Sequence, residues 1–142
     1  MKRRKCTAIV LAAGQGKRMG SRIQKQFLEI CGRPVLYYSL AAFQDSPLID
    51  SMILVTGAAE IPFVQKEIVE KYGFSKVKMV VEGGAERYAS VWKGLQALEH
   101  TLTEEEKEGC VFIHDGVRPF IHEEILSRAF DAVEKYHACA VG

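Results

Sequence analysis

The sequence lacks the features that mark membrane, nucleic-acid-binding and disulfide-rich proteins. No apolar segment reaches the roughly 20 residues that a helix needs to span a bilayer, so we expect no membrane partner. The net charge of the 142 residues is +1, which gives no field to attract nucleic acid. The four cysteines have no Cys-x-x-Cys spacing, which disfavours zinc and indicates buried thiols in a reducing cytoplasm. The cysteines are Cys6, Cys31, Cys110 and Cys139.

Apolar residues, by contrast, are plentiful and regularly arranged. They make up 48% of the sequence, enough for one buried core, so we expect a single domain over residues 1–142. Short apolar runs predict strands near residues 7–12, 51–56, 77–81 and 110–114. Helical patterns predict helices near residues 34–44, 60–72, 86–99 and 122–137, and residues 138–141 look like the start of a fifth strand.

The alternation of strands and helices predicts an α/β fold in which a mainly parallel sheet lies between two layers of helices. Right-handed crossovers, with consecutive strands running outward before the order reverses, predict the order third, second, first and fourth strand. The first and fourth strands are then neighbours. The loops that follow them therefore share the crevice where such sheets bind ligands.

The first predicted strand leads into a glycine-rich turn, AIVLAAGQGKRMG over residues 8–20. Gly14 and Gly16 allow main-chain N–H groups to approach a ligand closely, since they have no Cβ. Cations follow the turn at positions 17, 18, 22 and 25. Oriented N–H dipoles together with full positive charges fit a polyanion such as a nucleoside triphosphate. A simple β–α turn whose cations face water is the alternative.

Two better-known phosphate-binding motifs do not match this turn. A P-loop requires Gly-x-x-x-x-Gly-Lys-Ser/Thr, and neither Gly14 nor Gly16 begins that spacing. A dinucleotide-binding motif requires Gly-x-Gly-x-x-Gly, whereas the third glycine here is one place late, at Gly20. The second predicted strand also ends, at Gly57, without the acid that would hold a ribose. A nicotinamide cofactor and an oxidoreductase are therefore disfavoured.

The segment LAAGQGKRMG and the following QKQF resemble the start of sugar-phosphate and polyol-phosphate nucleotidyltransferases. Three later segments narrow the resemblance: VEGGAERYASV at 81–91, KGL at 93–95 and HDGVRPF at 114–120. Together they resemble the polyol-phosphate cytidylyltransferases, and most of all the 2-C-methyl-D-erythritol 4-phosphate cytidylyltransferase family of non-mevalonate isoprenoid precursor synthesis. The ribitol-5-phosphate cytidylyltransferases of teichoic acid synthesis are the related alternative.

This resemblance implies a three-layer α/β/α, Rossmann-like nucleotidyltransferase fold. It also implies that CMP is transferred from CTP to a polyol phosphate with release of pyrophosphate and with Mg²⁺ as the divalent metal. Chains of the family continue well past Gly142, so we expect this chain to lack the C-terminal part of its domain. The missing part of the family chain supplies the acceptor-binding residues and the arm of a homodimer.

The resemblance also assigns roles to individual residues. Arg18 and Lys25 match the catalytic cations that stabilise the transition state, and Asp115 is the expected metal ligand. The expected CTP-binding residues of the first turn are Leu11, Ala12, Ala13, Gly14, Gly16 and Lys17. Those of the later segments are Gly83, Gly84, Ser90, Asp115, Gly116 and Arg118, and Gly84 and Ser90 among them match positions that touch the base.

Three of the later residues also have a plainer interpretation. Asp115 could cap the next turn, Arg118 could bridge to a surface carboxylate, and Ser90 could bond to the backbone of its own helix. Ala85 replaces the aspartate of several relatives, and Arg87 has no assigned role beyond packing or surface charge. A regulatory module that binds CTP without turnover remains an alternative to the enzyme.

Overall fold

The computed structural model describes residues 5–13, 27–101, 109–116, 118 and 121–136. The elements in chain order are β1 (Cys6–Ala12), β2 (Glu29–Ile30), β3 (Arg33–Pro34), α1 (Val35–Asp45), β4 (Ser51–Thr56), α2 (Ile61–Val64), β5 (Val77–Glu82), α3 (Arg87–Thr101), β6 (Cys110–Asp115) and α4 (Glu123–Tyr136). A 3₁₀ turn, Ala58–Glu60, precedes α2, and a π-helical segment, Gln65–Glu70, continues it.

The main sheet has the strand order β5-β4-β1-β6, and every pair in it is parallel. This confirms the predicted order, in which the third, second, first and fourth long strands follow one another. The register places Leu11 of β1 opposite Val55 of β4 and Asp115 of β6. The ends of β1 and β6 therefore lie side by side at the carboxyl edge of the sheet.

The core occupies both faces of the sheet, because every residue of β1 is buried. Alternate residues along a strand point to opposite faces. Val10 faces α1 and α2, whereas Ile9 and Leu11 face α3. The larger cluster includes Leu36, Leu40, Phe43, Leu54 and Ile68, and the smaller includes Ile53, Val55 and Leu98. This arrangement is the expected three-layer α/β/α fold.

The structure differs from the sequence prediction in a hairpin and in helix ends. The strands β2 and β3 pair antiparallel, and each is too short to show an alternating pattern. The tip of this hairpin has positive φ angles at Cys31 and Gly32. Cys31 is exposed, so the expectation of buried thiols is wrong there and holds for Cys6 and Cys110. Cys139 and the predicted strand at 138–141 lie outside the described residues.

The helix predicted at 34–44 begins one residue later than expected, at Val35, because Pro34 belongs to β3. The predicted helix at 60–72 is shorter and contains a π-helical segment. Within the described ranges, every helix is too short or too polar to cross a bilayer.

Candidate functional site

The carboxyl end of β1 is fixed from both neighbouring strands. The N–H of Gly116 donates to the carbonyl of Leu11 at 2.7 Å, and the hydroxyl of Thr56 donates to the carbonyl of Ala12 at 3.3 Å. The side chains of Leu11 and Ala12 are buried, whereas Ala13 is partly exposed. Leu11 and Ala12 thus form the buried base of the site. Ala13 lies at its mouth, the solvent-facing opening at the carboxyl edge of the sheet. Their contacts with CTP remain predictions.

The remaining residues predicted for the first turn lie outside the described residues. They are Gly14, Gly16, Lys17, Arg18 and Lys25, and their roles remain predictions.

The turn after β5 packs directly against its neighbours because its two glycines have no Cβ. Gly83 lies against the end of β1, and Gly84 lies against α3. The N–H of Gly83 donates to the carbonyl of Thr56 at 2.8 Å. A Cβ on Gly83 would lie 2.6 Å from the Cβ of Ala13, and one on Gly84 would lie 2.2 Å from the Cβ of Ala89. Neither glycine has a positive φ. Glycine is therefore needed here for close approach rather than for an unusual backbone conformation.

Ser90 anchors this glycine turn to α3. Its side chain is buried, and its hydroxyl oxygen accepts from the N–H of Gly84 at 3.1 Å and donates to the carbonyl of the same residue at 3.4 Å. The interpretation of Ser90 as a serine bonded to its own helix is wrong, since its partners lie in the preceding turn. A direct contact with the base remains a prediction.

The turn after β6 holds Asp115 at the other side of the mouth. The N–H of Arg118 donates to the Asp115 carbonyl at 3.1 Å and closes the turn. Gly116 is buried, and a Cβ there would lie 2.8 Å from Cδ1 of Leu36 and 3.1 Å from the carbonyl oxygen of Leu11. The turn is thus pressed against both β1 and α1.

The Asp115 carboxylate lies between two arginines. Its Oδ1 is 3.2 Å from Nε of Arg87, and its Oδ2 is 3.6 Å from Nε of Arg118. The carboxylate side chain is 27% exposed, and the arginine side chains are 63% and 76% exposed. Each ion pair is therefore weak by itself, but together they keep the carboxylate at the mouth.

This geometry corrects the view that Arg87 contributes only packing or surface charge. As the first residue of α3, it spans from the glycine turn to the end of β6. The sequence did hold one signal for a role of Arg87 in the site: it stands three residues after Gly84, at the start of a predicted helix. The plainer interpretation of Arg118 as a partner of a carboxylate is also observed, but that carboxylate is Asp115 of the candidate site.

Behind the turn lies a polar pair that the sequence did not reveal, formed by the buried Ser39 and the partly buried His114. Nε2 of His114 is 2.8 Å from the carbonyl of Arg118, and the hydroxyl of Ser39 donates to the same carbonyl at 3.0 Å. Burial lowers the pKa of His114 below its ordinary value, although the hydrogen bond to the Arg118 carbonyl and the charge of Asp115 act against that shift. His114 packs edge-on against Phe43, on the opposite face of β6 from Asp115.

The described residues fit a metal ion that arrives with phosphate. They contain no group of three or more His, Cys, Asp or Glu side chains placed to hold an ion. Mg²⁺ commonly binds one or two carboxylates and takes its remaining ligands from phosphate oxygens and water. Asp115 supplies one partly exposed carboxylate at the carboxyl edge of the sheet, and its exposed arginine partners hold it only weakly.

The chain resembles proteins of one family along nearly its whole length. Residues 6–142 match the family model described as IspD: 2-C-methyl-D-erythritol 4-phosphate cytidylyltransferase. A curated relative of that name from Geobacter metallireducens is 51% identical over 122 residues, which are 86% of this chain and 51% of the relative. Another, from Lachnoclostridium phytofermentans, is 48% identical over 138 residues, which are 97% of this chain and 56% of the relative.

A solved structure, 4-diphosphocytidyl-2C-methyl-D-erythritol synthase from Anaerococcus prevotii, is similar with a TM-score of 0.71 and 30% identity. The similarity covers 93% of this chain and 52% of that one. The chain spans about half the length of the curated relatives named above. With the family model matching from Cys6 onward, the chain belongs to the 2-C-methyl-D-erythritol 4-phosphate cytidylyltransferase family.

Proposed function

We propose that this protein transfers CMP from CTP to 2-C-methyl-D-erythritol 4-phosphate and releases pyrophosphate, in non-mevalonate isoprenoid precursor synthesis. Family membership supports the reaction. The observation that carries the proposal is the meeting of two turns at the end of β1: the close-packed Gly83–Gly84 turn on one side and the Asp115 turn on the other. One side suits a flat base, and the other presents charged groups.

In the proposed reaction, an oxygen of the acceptor phosphate attacks the α-phosphorus of CTP. A new P–O bond forms, the bond between the α-phosphorus and the bridging oxygen breaks, and pyrophosphate leaves with that electron pair. The acceptor phosphate is already anionic, so no general base is needed. Negative charge grows on the equatorial oxygens in the transition state, where positioned cations have their largest effect. Arg18 and Lys25 are proposed for this role from the resemblance.

The described residues have binding and orienting roles in this proposal. The backbone of Gly83 and Gly84 approaches the base, and Ser90 holds that turn in place. Asp115 would hold Mg²⁺, which neutralises phosphate charge when bound. Arg87 and Arg118 keep the carboxylate at the mouth until the nucleotide arrives.

The family resemblance further supports two proposals about the whole protein. The first is a homodimer, since the expected dimerisation arm belongs to the part of the family chain beyond Gly142. The second is a cytoplasmic location, supported by the scattered cysteine spacing.

Calorimetric titration of the chain with Mg²⁺–CTP tests the nucleotide site, with ATP, GTP and NAD as controls. We expect selective binding of CTP. Equal binding of the purine nucleotides, or none of CTP, would contradict the proposed site. Pyrophosphate release with 2-C-methyl-D-erythritol 4-phosphate and with ribitol 5-phosphate then identifies the acceptor. Binding of CTP without pyrophosphate release would favour the regulatory module.

A further inference from the structure

Asp115 forms the last pair of the β1–β6 ladder, opposite Leu11, and the turn that follows it and carries Arg118 lies beyond that ladder. One main-chain bond, from the Gly116 N–H to the Leu11 carbonyl, ties it to β1. Another, from the Arg118 N–H to the Asp115 carbonyl, closes the turn on itself. The side-chain contacts between Asp115 and the two arginines are too exposed to hold the backbone firmly.

Side chains from the helical layer supply the missing restraint. The hydroxyl of Ser39 lies 3.0 Å from the carbonyl of Arg118 and 3.4 Å from that of Gly116. Ser39 is 0% exposed and lies in the middle of α1. Its hydroxyl donates to the turn rather than to its own helix. Because the side chain is buried, water does not compete for this hydrogen bond.

His114 directs a second donor to the same point. Its Nε2 lies 2.8 Å from the Arg118 carbonyl and 3.3 Å from the hydroxyl of Ser39. A carbonyl can only accept, so this nitrogen carries a hydrogen. The ring packs edge-on against Phe43, which fixes the direction of that N–H. Two donors therefore occupy the acceptor positions of one carbonyl, which is the full capacity of that group.

We propose that Ser39 and His114 are positioning residues that clamp the backbone of residues 116 and 118 and thereby hold Asp115 and Arg118 ready for the nucleotide. The effect of this clamp on CTP binding rests on the proposed function, whereas the existence of the clamp does not. The apparent affinity of a ligand that needs an ordered turn is its full affinity multiplied by the fraction of molecules in which the turn is ordered. Loss of the clamp lowers that fraction.

The first test compares two buried serines of similar chemistry. Ser39→Ala removes one donor of the clamp, whereas Ser46→Ala removes a bond from the Leu48 N–H, in the loop that leads to β4. Amide hydrogen exchange of the Gly116 and Arg118 N–H groups reports the turn directly. From the usual net contribution of a hydrogen bond, we expect exchange about fivefold to tenfold faster in Ser39→Ala and unchanged in Ser46→Ala. We expect CTP affinity to fall in Ser39→Ala alone, by at most that factor.

The second test separates the donor of His114 from its bulk. His114→Gln keeps an N–H donor at similar reach, whereas His114→Met keeps volume without the donor. We expect His114→Gln to restore protection of both amides to within about threefold of the original chain, and His114→Met to behave like Ser39→Ala.

The outcomes separate the two proposals. Equal amide exchange in Ser39→Ala and Ser46→Ala would overturn the clamp, whatever the affinity for CTP. Faster exchange with unchanged CTP affinity would overturn its role in nucleotide binding. If the original chain binds no CTP, the proposed function fails, and the exchange data still decide whether the clamp exists.

Discussion

The two turns that flank the end of β1 are held in place by different physical means. The Gly83–Gly84 turn is fixed by close packing, because any Cβ there would overlap neighbouring atoms, and by the hydroxyl of the nearby Ser90. The Asp115 turn is fixed mainly by hydrogen bonds from side chains on α1 and β6. The first turn is restrained by residues close to it in the chain, whereas the clamp on the second turn depends on Ser39, which is 79 residues away from Arg118.

This difference predicts how each turn fails. A close-packed turn tolerates no added atom but is insensitive to distant polar substitutions. A polar-clamped turn tolerates changes on its exposed side but loosens when a buried partner is removed, since the remaining carbonyl loses its donor.

The largest effect is expected from Gly83→Ala. The new Cβ would lie 2.6 Å from the Cβ of Ala13 and 2.7 Å from Oγ of Ser90, so the turn must move away from β1. We expect CTP affinity, measured by calorimetry, to fall by roughly 10-fold to 100-fold, in line with an overpacking cost of about 1–3 kcal/mol.

The matched control is Gly94→Ala, whose Cβ would lie 2.7 Å from Cγ2 of Ile9 between α3 and β1. It should lower thermal stability without a comparable loss of affinity. Similar loss of affinity in both variants would mean that the Gly83 effect reflects general destabilisation.

Asp115→Asn is expected to have the next largest effect. The amide keeps the shape but loses the charge that pairs with the two arginines and that is proposed to hold Mg²⁺. We expect Mg²⁺–CTP affinity to fall about 10-fold or more, while the free energy of unfolding changes by less than about 1 kcal/mol, because the ion pairs are exposed. Glu124→Gln on α4 removes the surface pair with Arg128 and should change neither CTP affinity nor metal dependence. Unchanged metal dependence in Asp115→Asn would remove Asp115 as the metal ligand.

A smaller effect is expected from pH, and it should concern only the clamped turn. Burial lowers the folded-state pKa of His114, so the unfolded chain binds more protons as pH falls through the ordinary value of about 6.5. The free energy of unfolding should therefore decrease below about pH 6.5 and level off below the folded-state pKa, as far as His114 contributes.

His114→Gln should lack this part of the pH dependence, which denaturant titrations at several pH values would measure. A difference between the two proteins that stays constant with pH would contradict the lowered pKa. The amides of the Gly83–Gly84 turn should be equally protected at each pH.

The smallest effect is expected from Arg87→Ala. Its side chain is mostly exposed, so the free energy of unfolding should change by less than about 1 kcal/mol. We expect a twofold to threefold loss of CTP affinity, because Asp115 keeps Arg118 as a second partner. A much larger loss in calorimetry would indicate that Arg87 contacts the nucleotide directly.

The sequence predicted the features that depend on local composition. The apolar run of β1 and the spacing of strands and helices were sufficient for the sheet order, and adjacent glycines indicated the close approach at residues 83 and 84. The clamp was not predictable, because Ser39 and His114 are 75 residues apart and neither side chain is unusual in its own segment. Arg87 was missed because its partner, Asp115, is reached only through the fold. The β2–β3 hairpin has strands of two residues, too few for any pattern.

The parallel pairing of β1 with β6 has a consequence for how the protein folds. Cys6 pairs with Cys110 and Leu11 with Asp115, so these contacts join segments about a hundred residues apart, whereas β1 and β4 are much closer in the chain. Contacts between distant segments require a larger loop-closure entropy and form slowly. We therefore expect β1, α1 and β4 to assemble before β6 docks. During synthesis, the Gly83–Gly84 turn can form before the Asp115 turn has left the ribosome, so we expect the proposed nucleotide site to be completed only when β6 docks.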